Sequence, residues 1–288
     1  MNRMAVVTGG TDGIGREMIA VLLKEGFSVV FVGRTAEKGR LVIEKLGANS
    51  EKLIFLQGDL SLMREVERVA NEVKKLAVDG IQLLVHSAGV NLRKRQMTME
   101  GIESTWAIDY LSRFYLTTLL AEKLIQGQPA RVITIAASST RKGRIDFNDL
   151  EGPMTIGGLK GLGQAQYAND VFIVELARRF EGQEINCFAL NPGAVETQIR
   201  RDFPAWLTRV MGLLFRSSVL SAKAGAEAPL YLALSEELTD LKVGLFHRRE
   251  KLRISSDRSD VSLGTRLWTT SQEFVHKAKE RLSHDNIN

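Results

Sequence analysis

The sequence predicts an α/β fold in which one doubly wound parallel sheet of about seven strands carries helices on both faces. Three observations predict it. Short apolar runs alternate strictly with longer periodic ones, the short runs are nearly all apolar, and no linker, repeat or low-complexity stretch interrupts the chain. Strands covered by helices on both sides lose the polar–apolar alternation of a half-exposed sheet, so continuous apolar runs are what a buried parallel sheet requires. The 288 residues, 44% hydrophobic and 25% charged, suit one globular domain over residues 1–288.

The elements follow in order. Met4–Thr8 is the first strand and runs straight into glycines that open a helix. Val29–Val32 and Leu53–Gln57 are the second and third strands. Ser61 is a candidate N-cap for the next helix, in which Val66, Val69, Ala70, Val73 and Leu76 share one face. Leu83–His86, Val132–Ala136 and Ile185–Leu190 supply three more strands, and a seventh is expected around Leu245–Arg249. The tail, about 265–288, reads as helical and polar.

Charge and cysteine content exclude several classes. The balance of 39 basic against 34 acidic residues is too even and too scattered for a nucleic-acid partner. A modest positive field would still draw in a phosphate-bearing ligand. The single cysteine, Cys187, excludes an internal disulfide and sits in an apolar run, where packing is its expected role. No apolar stretch reaches the roughly 18 residues that cross a bilayer, and no signal peptide is visible, so no transmembrane segment and a cytoplasmic location are expected.

The sharpest motif is Thr8-Gly9-Gly10-Thr11-Asp12-Gly13-Ile14-Gly15, directly after the first strand and opening a helix. In this context Gly9 allows a tight turn, Gly13 lets backbone approach a pyrophosphate, and Gly15 lets helix pack closely on sheet. Thr11, Asp12 and Ile14 complete the loop, and the helix N-terminus offers free N–H groups to phosphate. The motif is expected to be the phosphate-binding turn of a Rossmann-type domain, with a merely structural turn as the alternative. A NAD-selective site carries an acidic residue about twenty positions on. Here that place holds Arg34, with Lys38 one helical turn later. A guanidinium binds a 2′-phosphate through charge-assisted hydrogen bonds where a carboxylate would repel it, so NADP(H) is the expected cofactor; a solvated surface arginine is the alternative. Asp59 and Leu60 after the third strand, and the small residues Ser87, Ala88 and Gly89 after the fourth, are further candidate cofactor contacts.

Together these motifs resemble the classical short-chain dehydrogenase/reductase family, in its retinol-dehydrogenase-like branch, over about residues 4–250. The resemblance also rests on Gly58-Asp59-Leu60-Ser61, Leu83-Leu84-Val85-His86-Ser87-Ala88-Gly89, Thr98–Glu103, the stretch Arg141–Leu150 and Asn191-Pro192-Gly193-Ala194-Val195-Glu196-Thr197. It implies that Pro192, Gly193, Val195 and Thr197 wrap the nicotinamide end. It further implies a small-molecule substrate and, as in many relatives, a homodimer or homotetramer.

The family's catalytic tetrad is Asn, Ser, Tyr and Lys. Continuing the branch's spacing without gaps, those positions hold Asp109, Ala137, Leu162 and Gln166, and no Tyr-x-x-x-Lys occurs at any of the four tyrosines. Leucine transfers no proton and glutamine carries no charge, so the usual acid–base pair is missing. Asp109 could serve as a general acid if burial raised its pKa, or be a carboxylate satisfied by backbone donors. Ser138 could hydrogen-bond a substrate or hold a turn, and Gln166 could still bind ribose hydroxyls. His86 is expected in a structural hydrogen bond, and Tyr167 on a helix face turned away from Gln166. The aromatic and aliphatic segment at about 198–220 is expected to form a lid over an apolar substrate, with a membrane or partner surface and core packing as alternatives. Two functions follow. One is NADP(H)-dependent atypical catalysis, as a non-canonical reductase or a cyclase, isomerase or dehydratase. The other is a pseudoenzyme acting as an NADP(H)-responsive sensor or scaffold, without metal in either case.

Overall fold

Apolar runs become strands here because the sheet is walled on both sides: Ala5, Val6 and Val7 are each fully buried. The computed structural model describes residues 3–47, 52–90, 92, 94–135, 144–150, 159–195 and 220–285. The strands are β1 (Met4–Thr8), β2 (Ser28–Gly33), β3 (Leu53–Gln57), β4 (Leu83–His86), β5 (Ala130–Ile135), β6 (Ile185–Asn191), β7 (Val243–His247) and β8 (Glu250–Leu252). They form one sheet in the order β3-β2-β1-β4-β5-β6-β7-β8. The first seven are parallel and β8 returns antiparallel to β7. Every expected strand is present within two residues of its predicted ends. β8 was not expected, since Glu250 and Lys251 are exposed and no apolar run announces it.

The helices are α1 (Gly13–Lys24), α2 (Ala36–Leu46), α3 (Met63–Leu76), α4 (Ser104–Trp106), a π-helical turn (Ala107–Leu111), α5 (Ser112–Leu119), α6 (Ala121–Gln126), α7 (Leu159–Arg179), α8 (Ala222–Leu234) and α9 (Val261–Asp285). Two apolar clusters lie on opposite faces of the sheet. One is built with α3, α5, α7 and α9 through Val66, Phe114, Val171 and Leu267. The other is built with α1, α2 and α8 through Met18, Val42 and Leu232. Among the described residues no helix is long and apolar enough to cross a membrane.

Two local expectations are corrected. Ser61 does not cap α3. The helix starts at Met63 with Leu62 in the cap position, and no side chain of that segment caps it. The buried Glu100 carboxylate does so instead, accepting from Met63 N at 2.5 Å and Arg64 N at 3.1 Å. A negative group at a helix N-terminus satisfies free N–H groups and meets the positive end of the dipole. Ser61 N turns to Asp59 Oδ1 at 3.0 Å. The tail is helical, as expected, but it is amphipathic rather than polar throughout. Leu267, Val275 and Ala278 are buried, and the Trp268 ring meets Phe114 edge-on with centroids 4.9 Å apart.

Removing a carboxylate that alone satisfies buried N–H groups costs about 1–3 kcal/mol. Glu100→Ala is therefore expected to lower unfolding stability by that amount in urea titrations, and Ser61→Ala by less than about 0.5 kcal/mol. Equal losses would contradict the assignment of the cap.

Candidate active site

β1 and β4 lie side by side, yet the chain leaves them toward opposite faces: α1 packs on one apolar cluster and α5 on the other. At such a switch point the carboxyl ends of the strands frame a crevice. A cavity of about 510 Å³ opens there. Its first end is the glycine loop. Gly9 has φ +68°, and a Cβ on it would stand 2.7 Å from Ala88 N across the crevice. Gly15 does not line the cavity; it lies behind, where a Cβ would come within 2.6 Å of Gly9 O. The expected roles of these two glycines in turn and packing thus have a steric basis. Asp12 is the N-cap of α1, its Oδ1 accepting from Gly13 N at 2.8 Å.

Arg34, Thr35 and Lys38 wall the far side, at the end of β2 and the start of α2. Arg34 is exposed, and Lys38 Nζ stands 3.9 Å from Asp12 Oδ2. Thr11, Gly13, Ile14, Asp59, Leu60, Ser87, Ala88 and Gly89 also line the cavity, as do Pro192, Gly193 and Val195 beyond β6. The motifs read as cofactor contacts are therefore brought together. Thr197, Ala137, Ser138 and nearly all of the expected lid lie outside the described residues.

The other end is walled by Val90, Leu92, Ile108, Asp109, Arg113, Ile135, Leu162 and Gln166. Asp109 sits in the π-helical turn, a widened coil that exposes carbonyls a regular helix would bond internally. Asn169 Nδ2 on α7 donates to Asp109 O at 2.6 Å and to Ala165 O at 2.7 Å. Ser112 Oγ donates to Ile108 O at 2.8 Å. The Asp109 side chain is buried, with Oδ1 accepting from Val90 N at 3.1 Å and Oδ2 lacking a hydrogen-bond partner among the described residues. Gly89 makes room for it, since a Cβ there would meet Oδ1 at 2.7 Å. Burial pushes the Asp109 carboxyl up to about 7, against the opposing pull of Arg113 and the Val90 N–H. A group titrating near neutrality on a cavity wall can both give and take a proton.

Arg113 and Asn169 escaped the sequence reading. Arg113 stands four residues after Asp109, the spacing that puts two side chains on one helical face, so its signal was visible. The Asn169 contact spans 60 residues and had none. His86 is buried with Nε2 at 2.8 Å from Thr117 Oγ1, the expected structural bond. Burial, aided by Arg113, holds its pKa down to about 3. Tyr167 points away from the cavity and donates to Asp257 Oδ2 at 2.7 Å, as its place on α7 predicts. Cys187 is buried in β6, as expected of a packing residue.

Comparison with known proteins agrees with this fold. The family model described as short chain dehydrogenase matches residues 3–148. Retinol dehydrogenase 12 of Mus musculus is 30% identical over 279 residues, covering 95% of this chain and 86% of that protein. Dehydrogenase/reductase SDR family member 13 of Bos taurus is also 30% identical, covering 95% of this chain and 73% of its own length. Among solved structures, a short chain dehydrogenase from Burkholderia cenocepacia in complex with NADP superposes with a TM-score of 0.67 at 20% identity, covering 86% of this chain and 96% of that one. An uncharacterized protein from Mycobacterium paratuberculosis gives 0.73 at 24% identity, covering 95% and 93%. The chain belongs to the short-chain dehydrogenase/reductase family of oxidoreductases, a family that works with nicotinamide dinucleotides.

Proposed function

We propose that the chain binds NADP(H) in the β1–β4 crevice and carries out atypical chemistry on a small apolar molecule, with Asp109 moving the proton. The observation that carries this reading is the make-up of the cavity's inner end. Leu162 and Gln166, which the sequence resemblance aligns with the family's Tyr and Lys, line it beside Asp109, a buried carboxyl that burial pushes up to about 7.

The crevice fits a dinucleotide. Its glycine cradle has no space for a Cβ at Gly9, and the α1 N-terminus faces the same cavity. Gly13 and its neighbours would take the pyrophosphate, Asp59 the adenine side, and Arg34 with Lys38 a 2′-phosphate. Gln166 would hydrogen-bond ribose hydroxyls, and Pro192, Gly193 and Val195 would flank the nicotinamide. When bound, the cofactor would supply or accept a hydride in redox chemistry, or would form part of the pocket wall in a cyclisation, isomerisation or dehydration. Asp109 Oδ2 holds the proton in either case, with Oδ1 fixed by Val90 N. Val90, Leu92, Ile108 and Leu162 line the same cavity with apolar side chains that suit an apolar substrate. A second reading, a non-catalytic NADP(H) sensor, draws on the absence of any ionisable group at Leu162 and Gln166; it predicts binding without turnover.

Calorimetric titration is expected to show NADPH and NADP+ binding well ahead of NADH and NAD+. Arg34→Ala is expected to weaken NADPH about 10–100-fold, from the loss of charge-assisted bonds worth about 1.5–3 kcal/mol, and to leave NADH unchanged. Equal loss for both forms would remove Arg34 from the phosphate site. Asp109→Asn is expected to abolish turnover while NADPH still binds; unchanged rates would exclude Asp109 as the acid.

Stability carries the same signature. Between about pH 4 and 7 folded Asp109 keeps a proton that the unfolded chain, with the ordinary value of 3.8, has lost. The Asp109 contribution to stability therefore falls as pH rises through that window, by up to about 4 kcal/mol, while His86, buried neutral and held down to about 3, contributes the opposite slope below its ordinary value of 6.5. Asparagine mimics the protonated form, so in chemical denaturation Asp109→Asn should raise the stability at pH 8 relative to pH 5 by about 3 kcal/mol over the wild type, leaving only the His86 slope. A decline that persists in the variant would place its origin elsewhere.

A further inference from the structure

We propose that Arg113 is a positioning residue for Asp109: its guanidinium ties the ends of β4 and β5 together beneath the cavity and supplies the counter-charge against which Asp109 ionises. The proposal rests on the reading of Asp109 as the proton-moving group. Its basis is where the two strands part. Pairing of β4 with β5 ends at His86 and Thr134. Beyond that pair the ladder no longer serves the carbonyls of Ala88 and Ile135, and Arg113 takes both. Nη1 donates to Ile135 O and Nη2 to Ala88 O, each at 2.8 Å.

Nη2 also stands 3.6 Å from Asp109 Oδ1, too long for a hydrogen bond but close enough for strong charge coupling in a buried setting. The Arg113 side chain is 2% exposed and lines the cavity. The other deeply buried ion pair among the described residues, Arg258 with Asp170 at 3.1 Å, does not line it. A planar fork can hold two carbonyls and face a carboxylate at once, which the point charge of a lysine cannot.

Among the described charged groups Arg113 is the one that favours the Asp109 carboxylate, beside the neutral Val90 N–H. Glu103, at the start of α4, raises the carboxyl's proton affinity. His86 on β4 is kept neutral by burial and by Arg113 itself. The α7 residues facing the site, Leu162, Gln166 and Asn169, do not ionise.

The test is a ¹³C carboxyl titration by NMR of the ligand-free protein, with Asp109→Asn identifying the resonance, on the wild type, R113Q and R113K. In R113Q the Asp109 midpoint is expected to rise by at least one pH unit, and in R113K to stay within about half a unit of wild type. R113K, which keeps the charge and loses the fork on Ala88, is expected to weaken NADPH about tenfold in calorimetry. That arm decides the positioning role even if R113Q fails to fold. An Asp109 midpoint raised in the wild type and unmoved in R113Q would overturn the role of Arg113 alone, as would undiminished NADPH binding by R113K. A wild-type midpoint in the ordinary carboxylate range would overturn the reading of Asp109 itself.

Discussion

The site exists because two parallel neighbours, β1 and β4, send their chains to opposite faces of the sheet. Neither face's helices cover the gap between their carboxyl ends, so the backbone must close the floor of the crevice by itself. It does so through one close approach. Thr8 Oγ1 accepts from Ala88 N at 3.2 Å, and Gly9 lies so near the same residue that no side chain fits between them. From that contact the chain turns one way into the Asp12-capped α1 and the other way past Gly89 to the pocket of Asp109. The glycine-loop end and the Asp109 end of the cavity are thus two sides of one backbone crossing.

The two ends obey different electrostatics. At the outer end Arg34 is exposed and Lys38 is half-buried beside Asp12, so these charges keep contact with water. At the inner end Asp109 and Arg113 are taken out of water, and desolvation outweighs their mutual attraction. It raises the carboxyl and lowers the guanidinium from their ordinary values. A pair in which burial dominates is a poor source of stability, because each ion loses more hydration than its partner restores. Such a pair is better understood through what it makes possible: a carboxyl that changes protonation near neutral pH, fixed on a π-helical turn by Asn169 and on the strand ends by Arg113.

Much of this was legible in the sequence, for physical reasons. A strand buried on both faces has to be mostly apolar, so Met4–Thr8 and Leu83–His86 were placed to the residue, and the partly buried edge strand Leu53–Gln57 was marked by the same kind of run. The glycine loop was legible because steric closeness allows only glycine at Gly9 and Gly15. What escaped depended on contacts distant in sequence. Ser61 looked like the cap of α3, but Glu100, 37 residues beyond Met63, does the capping. The amphipathic face of α9 was obscured by its many charged residues, although Trp268 and Leu267 mark it. β8 had no apolar run because an edge strand of this length needs none. Arg113 was missed although its spacing from Asp109 was plain, because nothing local shows that an arginine turns inward rather than toward solvent.

A crystal structure of the protein grown with NADP+ is the most direct test of the crevice as the working site. The dinucleotide is expected along the β1–β4 crevice, with its pyrophosphate over the α1 N-terminus and its 2′-phosphate on Arg34 and Lys38. The nicotinamide is expected at the end walled by Asp109, Leu162 and Gln166. A dinucleotide bound outside the crevice, or lying in it with the nicotinamide beside Arg34, would contradict the assignment of both ends.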